Sequence, residues 1–224
     1  MTEKIKKLSS LLWESQHKCL ILLLVFLFWL MLGPETFDTA WGALILPLYI
    51  FFLTIGPYVI TKNRHLLALS LMLGIAAYIL RVCYHSGIQR ELATDATLLF
   101  FDLIMMISLV YYSTVVGKYT RDSIFGSIFA FMMIGVCFAD FYYILQGQQI
   151  VGFAVNGKTT ALNLDDCLYF SFTSLTTMGY GDIMPHTPLT KRMSYLEGVI
   201  SIMYSAVFIG RLLAVYNSRK AKAA

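Results

Sequence analysis

Residues 176–182 read T-T-M-G-Y-G-D, and their types and spacing favour chemistry with a cation. Glycine has no Cβ atom, so Gly179 and Gly181 allow backbone conformations that other residues resist. Consecutive carbonyl groups of such a strand can therefore point one way instead of alternating. The oxygens that this arrangement would align belong to Thr177, Met178, Gly179 and Tyr180. Repeated around an axis by several chains, they can replace the water shell of a bare monovalent cation.

A short apolar segment, residues 167–175, precedes this strand, and Asn163, Asp165 and Asp166 ahead of it are residue types that begin helices. A helix needs about 20 residues to cross a bilayer core. The segment therefore predicts a re-entrant half helix that enters from the outer side and stops partway. Non-helical backbone at membrane depth requires enclosing protein or a water-filled path. The carbonyl end of the half helix, near Ser174, would favour a cation beside the strand.

The composition indicates that lipid surrounds these elements. Of the 224 residues 58% are apolar and 13% are charged, with a mean hydropathy of +0.70, whereas soluble domains carry roughly 25% charged residues. This balance excludes most soluble folds and disorder. The net charge of +4 is too small and scattered to indicate nucleic acid. The cysteines lack metal-ligand spacing and are interpreted as buried apolar residues; they are Cys19, Cys83, Cys137 and Cys167.

Six apolar runs predict an all-α integral membrane protein with six transmembrane helices and a re-entrant pore helix between the fifth and sixth. The runs are residues 18–32, 40–60, 66–84, 96–117, 123–145 and 193–217. A cleaved signal peptide is the alternative for the first run, but no small-x-small site follows it. The expected divisions are a tail over 1–17, a four-helix membrane domain over 18–117, a pore module over 118–217 and a short tail over 218–224.

The positions of lysine and arginine predict the orientation, because basic loops stay on the cytoplasmic side. Most of the basic residues lie on one side if the chain begins inside. Six spans return the C-terminus to that same side. We therefore expect a multi-pass protein of the inner (plasma) membrane with both termini in the cytoplasm.

With this layout, T-M-G-Y-G-D at residues 177–182 resembles the selectivity signature of potassium channels, T-V-G-Y-G-D. The resemblance covers the pore module from about Ser123 to Asn217, while the first four spans match only in number. It implies a homotetramer that binds K+ through the backbone of residues 177–181. Met178 replaces the usual valine, but that position contributes a carbonyl group, so selectivity is expected to survive.

The resemblance also implies roles for neighbouring side chains. Tyr169 and Phe170 stand where many members have a tryptophan pair that braces the filter. Thr173 stands where some members have an acidic partner for the filter aspartate. The residues expected to support the filter are Thr176, Asp182, Tyr169, Phe170, Thr173 and Glu197.

The fourth span lacks the basic residues that voltage sensing requires. Moving one elementary charge through 100 mV supplies about 2.3 kcal/mol, so sensors carry arginine or lysine at every third position. Residues 96–117 contain neither, and Lys118 and Arg121 follow the span. These two are interpreted as ordinary cytoplasmic flanking charges. The sequence predicts a channel that is not voltage-gated.

Other residues near the predicted spans leave two interpretations open. Asp102 and Arg81 lie at similar depth on neighbouring spans, which predicts an interhelical ion pair, with ion sensing as the alternative for Asp102. Glu197 either supports the backbone behind the filter or senses protons. Gly198 and Gly210 in the last helix are possible gate hinges or close-packing positions.

Two other classes of protein remain as alternatives. A secondary transporter would need a second interrupted helix in an inverted repeat, and only one re-entrant segment is found. A nonconducting membrane sensor would not need the intact strand. No sequence pattern indicates an enzyme or a cofactor other than K+ as the permeant ion. The expected partners are further copies of the chain and membrane lipids, not nucleic acid.

Overall fold

The computed structural model describes residues 18–32, 50–51, 64–83, 88–111, 121–147 and 152–223. Within these ranges the helices are α1 (Lys18–Leu32), α2 (Arg64–Cys83), α3 (Ile88–Tyr111), α4 (Arg121–Gly147), α5 (Leu164–Leu175) and α6 (Pro188–Ala223). The strands are β1 (Phe153–Val155), β2 (Lys158–Thr160) and β3 (Ile183–Pro185). The chain divides into two compact units, Met1–Met133 and Ile134–Ala224.

The first unit is helical, with α2 and α3 packed against each other. Phe101, Met105 and Leu109 recur every four residues along one face of α3 and are buried. Gly74 of α2 permits a close approach, because an added Cβ atom would lie 2.3 Å from Ile50 Cγ2. The apolar stripe of α3 therefore contributes to the core of this unit.

Asp102 follows Phe101 on α3 and is buried, with 2% of its surface exposed. The ion pair expected between Asp102 and Arg81 involves a side chain outside the described part of the structure. It therefore stays a prediction.

The second unit contains a small antiparallel sheet that the all-α prediction did not include. Its strand order is β2-β1-β3, so β1 pairs with both neighbours. Asn156 and Gly157 join β1 to β2, and both have positive φ, 50° and 79°. Two consecutive residues with positive φ form the tight turn that suits a two-residue hairpin. A hairpin thus lies between α4 and α5.

Three helical segments are long and apolar enough to cross a membrane within the described ranges: Leu92–Tyr111, Ile124–Gln146 and Pro188–Leu213. They correspond to the fourth, fifth and sixth predicted spans. Shorter apolar helices cover Cys19–Met31 and Ala68–Leu80, where the first and third spans were expected. The second expected span, 40–60, lies outside the described residues except for Ile50 and Phe51, which are helical.

Candidate functional site

The half helix expected before the strand is α5, and its start follows the sequence prediction. Asn163 is the N-cap, and its side chain accepts a hydrogen bond of 2.7 Å from the backbone N–H of Asp166. Asp165 and Asp166 place negative charge in the first turn, which stabilises the positive end of the helix dipole. The 12 residues of α5 extend about 18 Å, too short to cross a bilayer core of about 30 Å.

The C-terminus of α5 ends in a Schellman-type cap formed by the strand that follows. The N–H of Thr177 donates to the Ser174 carbonyl at 3.0 Å, and the N–H of Met178 donates to the Thr173 carbonyl at 2.9 Å. This cap requires a residue with positive φ just beyond the helix, where glycine is usual. Thr177 occupies that position with φ of 59°. A β-branched residue in this conformation is strained, and such strain concentrates at functional sites.

These hydrogen bonds also fix the direction of the carbonyl groups. The N–H groups of residues 177, 178 and 179 all point to carbonyls of α5, the last at 3.1 Å from the Thr173 oxygen. The described residues contain no cis peptide bond. In a trans peptide unit the C=O group points opposite to the N–H group. The three consecutive carbonyls of Thr176, Thr177 and Met178 therefore all point away from α5.

Positive φ recurs at every second residue of the strand. Gly179 and Gly181 have φ of 50° and 80°, after the 59° of Thr177. A Cβ atom built on either glycine would meet nothing within 4 Å. The backbone conformation, rather than lack of space, is therefore what favours glycine at these two positions. The side chains of Met178 and Tyr180 are 59% and 63% exposed.

The outer end of the strand is held by different contacts. The Tyr169 hydroxyl donates to Asp182 Oδ2 at 2.8 Å, and this bond raises the pKa of the Tyr169 phenol. The rings of Tyr169 and Tyr180 stack with centroids 6.2 Å apart. The Asp182 carbonyl accepts a hydrogen bond of 3.1 Å from the N–H of Asn156 in the hairpin turn. The side chain of Tyr169, from the middle of α5, and the hairpin turn thus hold this end of the strand.

The other residues expected to brace the strand divide between surface and core. Phe170 is buried, and its ring packs edge-on against those of Tyr142 and Phe153. The Thr173 hydroxyl donates to the Phe170 carbonyl at 2.9 Å, so its bond is to backbone of α5 rather than to Asp182. The Thr176 hydroxyl donates to the Phe172 carbonyl at 2.7 Å.

Glu197 lies on α6 and is fully buried. It contacts Tyr142 of α4 and Ser171 of α5, two residues that the sequence reasoning did not single out. One turn further along α6, the Ser201 hydroxyl donates to the Leu175 carbonyl at the end of α5. The shared spacing of four residues, 171 to 175 and 197 to 201, is the signal for this contact, because residues four apart share one helix face.

The two candidate gate glycines lie within the uninterrupted helix α6. An added Cβ atom at Gly198 or Gly210 would meet nothing within 4 Å. Several large apolar side chains of the same helix are exposed, among them Ile202, Met203 and Val207, each at 62%. The close packing expected at these glycines is not made within the described part of this chain.

Part of the chain is similar to a known protein family. Residues 131–217 match the family model described as "Ion channel". The matched region includes the sheet, α5, the strand at 176–182 and most of α6. A search of curated proteins gave no match. The match and the apolar helices support a membrane protein that is an ion channel, and they give no support to an enzyme.

Proposed function

We propose that this protein is a potassium-selective channel that conducts K+ passively through a filter made of residues 177–181. The observation that carries the proposal is the row of three carbonyls, from Thr176 to Met178, that point away from α5. Backbone carbonyls arranged in rings replace the hydration shell of K+ in such filters. The positive φ of Gly179 and Gly181 supports a continuation of the row through the carbonyls of Gly179 and Tyr180.

Four copies of the chain are proposed to surround one pathway. One chain supplies one row of oxygens, whereas a dehydrated ion needs oxygens on several sides. The exposed side chains of Met178 and Tyr180 and the apolar surface of α6 support further copies or lipid around this region. A homotetramer in the plasma membrane, with both termini in the cytoplasm, is the assembly that the resemblance to potassium channels implies.

The helices before the pore are proposed not to sense voltage. Helix α3 covers most of the predicted fourth span and carries no basic residue in its last turn. A useful sensor moves three or four charges per subunit, each worth about 2.3 kcal/mol per 100 mV. We expect an open probability that changes little between strongly negative and strongly positive potentials. A steep sigmoidal curve in single-channel recordings would contradict this.

The decisive experiment is ion flux through purified protein in liposomes. Reversal potentials in mixed K+ and Na+ solutions measure the permeability ratio directly. The proposal expects K+ to pass far better than Na+, without coupling to a proton gradient. Equal permeability would contradict the filter, flux that requires a proton gradient would favour a transporter, and no flux would favour a nonconducting sensor.

A further inference from the structure

The buried carboxyl group of Glu197 makes hydrogen bonds to two hydroxyl groups from two other helices. The Tyr142 hydroxyl lies 2.8 Å from Oε2, and Ser171 Oγ lies 2.5 Å from Oε1. Ser171 Oγ also lies 2.7 Å from the carbonyl oxygen of Gly135 on α4. Three short oxygen–oxygen contacts therefore form a chain through Glu197, from Tyr142 to Gly135.

A count of hydrogens identifies the protonation state that this chain requires. Three contacts need three hydrogens, and the hydroxyls of Tyr142 and Ser171 supply one each. The Gly135 carbonyl and an ionised carboxylate supply none. If Ser171 shared its single hydrogen between two acceptors, one of the two oxygen–oxygen distances would be long. The distances from Ser171 Oγ to the Gly135 oxygen and to Glu197 Oε1 are instead both within ordinary O–H···O length. The missing hydrogen must come from Glu197.

The surroundings of the carboxyl group favour the same state. Its partners are neutral hydroxyls, and neither brings a positive charge. Among the described residues, Tyr142 interacts with Glu197 and Cys167 with Tyr142, and neither of these side chains carries a positive charge in any state. Burying an ionised carboxylate without a cation costs far more than burying a neutral acid.

We propose that Glu197 is a neutral carboxylic acid that positions α5 behind the filter. Its Oε1–H donates to Ser171 Oγ, the Ser171 hydroxyl donates to the Gly135 carbonyl, and the Tyr142 hydroxyl donates to Oε2. This chain joins α4, α5 and α6 at one point. Together with the bond from Ser201 to Leu175, it fixes the helix whose last carbonyls hold residues 177–179. The effect on the filter rests on the proposed function, whereas the protonation state does not.

Infrared spectroscopy tests the protonation state without any flux measurement. A protonated carboxyl group has a C=O stretching band separate from those of carboxylates and backbone amides, and the band shifts in D2O. We expect the wild-type protein at neutral pH to show this band and Glu197→Gln to lack that component. Asp182→Asn, which removes an exposed carboxyl group, is the matched control and should keep it. A wild-type spectrum identical to that of Glu197→Gln in this region would overturn the proposal.

Flux measurements test the positioning role. Glu197→Ala removes both the donor and the acceptor, and we expect the K+ over Na+ permeability ratio to fall by about tenfold or more. Glu197→Gln should keep a permeability ratio close to that of wild type, since the amide NH2 can donate to Ser171 and the amide oxygen can accept from Tyr142. A folded Glu197→Gln protein that is as unselective as Glu197→Ala would show that the ionised group is needed and would overturn the proposal.

A third variant keeps the test valid if Glu197→Ala does not fold. Ser171→Ala removes only the bridging hydroxyl, so it should lower the permeability ratio and shift the infrared band of Glu197 at the same time. Unchanged values of both would contradict the chain of hydrogen bonds. Absence of K+ flux in the wild-type protein would contradict the proposed function alone, because the infrared result stands independently of it.

Discussion

The hairpin turn at residues 155–158 and the strand at residues 176–182 use the same backbone freedom with different results. In the hairpin, two consecutive residues have positive φ, Asn156 and Gly157, and the chain reverses. In the strand, positive φ occurs at Thr177, Gly179 and Gly181, with one residue between each pair. Consecutive left-handed residues make a turn, whereas the alternating ones lie in a segment whose first carbonyls, from Thr176 to Met178, point away from α5.

The two regions also differ in what holds them. The hairpin is fixed by its own strand pairing, between Val155 and Lys158 and onward to Phe153 and Thr160. Residues 176–182 pair with no strand in the described part of the chain, and the N–H groups of residues 177–179 instead bond to the end of α5. The conformation at the start of this strand therefore depends on the position of α5. Matched substitutions in the hairpin turn and in the strand can therefore distinguish the effect of backbone strain on stability from an effect on ion selectivity.

The largest effect is expected from Gly179→Ala. Its φ of 50° disfavours any residue with a Cβ atom, so the strand should leave the conformation that aligns its carbonyls and K+ selective current should disappear. Gly157→Ala is the matched control, because its φ of 79° carries a similar strain and an added Cβ also meets nothing within 4 Å. The control should lose about 1 kcal/mol of stability and retain selectivity. Reversal potentials and thermal unfolding in detergent measure the two quantities. Loss of selectivity in both variants would mean that the strain, not the site, is responsible.

An intermediate effect, with opposite signs for stability and selectivity, is expected from Thr177→Gly. Glycine relieves the strain of φ 59° at the helix cap, which should raise the free energy of unfolding by about 1 kcal/mol. The added freedom should loosen the first carbonyls and lower the K+ over Na+ permeability ratio. The matched change Asn156→Gly, at φ 50°, should alter stability by only a few tenths of a kcal/mol, since asparagine tolerates this conformation, and should leave the ratio unchanged. A Thr177→Gly protein that is both destabilised and fully selective would refute the assignment of strain to this position.

The smallest effect is expected from Tyr169→Phe at the outer end of the strand. The variant loses one exposed hydrogen bond to Asp182 and keeps the ring stacked on Tyr180, so the permeability ratio should fall only slightly. The raised pKa of Tyr169 means that its bond is fully present below the ordinary tyrosine value of about 10 and is lost only as the pH rises through the higher folded value. Recordings at neutral pH should therefore show the small difference between wild type and variant, and the wild-type ratio should itself change once the pH exceeds the raised pKa and the ionised phenol repels Asp182. Equal ratios for wild type and variant at neutral pH would show that this bond does not affect selectivity.

Local signals in the sequence predicted the start of the candidate site well. Asn163, Asp165 and Asp166 identified the first turn of α5, and the short apolar run gave its end at Leu175. Gly179 and Gly181 were expected to have unusual backbone conformations, and both have positive φ. The hairpin also has a local signal, Asn156-Gly157 between two short strands, which is typical of a two-residue turn.

Contacts between distant residues could not be predicted in the same way. The hydrogen bond between Tyr142 and Glu197 joins positions 55 residues apart, and the sequence around either residue does not indicate its partner. The positive φ of Thr177 was also unexpected, because threonine has no intrinsic preference for it. It follows from the cap at the end of α5, which is set by the fold and not by the residue. Support of the proposed filter thus depends on tertiary contacts, while the proposed filter motif can be found in the local sequence.

The pairing of β1 with β3 turns the region between them into a closed loop of chain. Phe153 pairs with Pro185, so the segment that contains the hairpin, α5 and residues 176–182 leaves and returns at the same place. Fixing both ends of a loop removes much of its conformational entropy before any internal contact forms. A displacement of the sheet would therefore move both ends of this loop together and would not pull them apart.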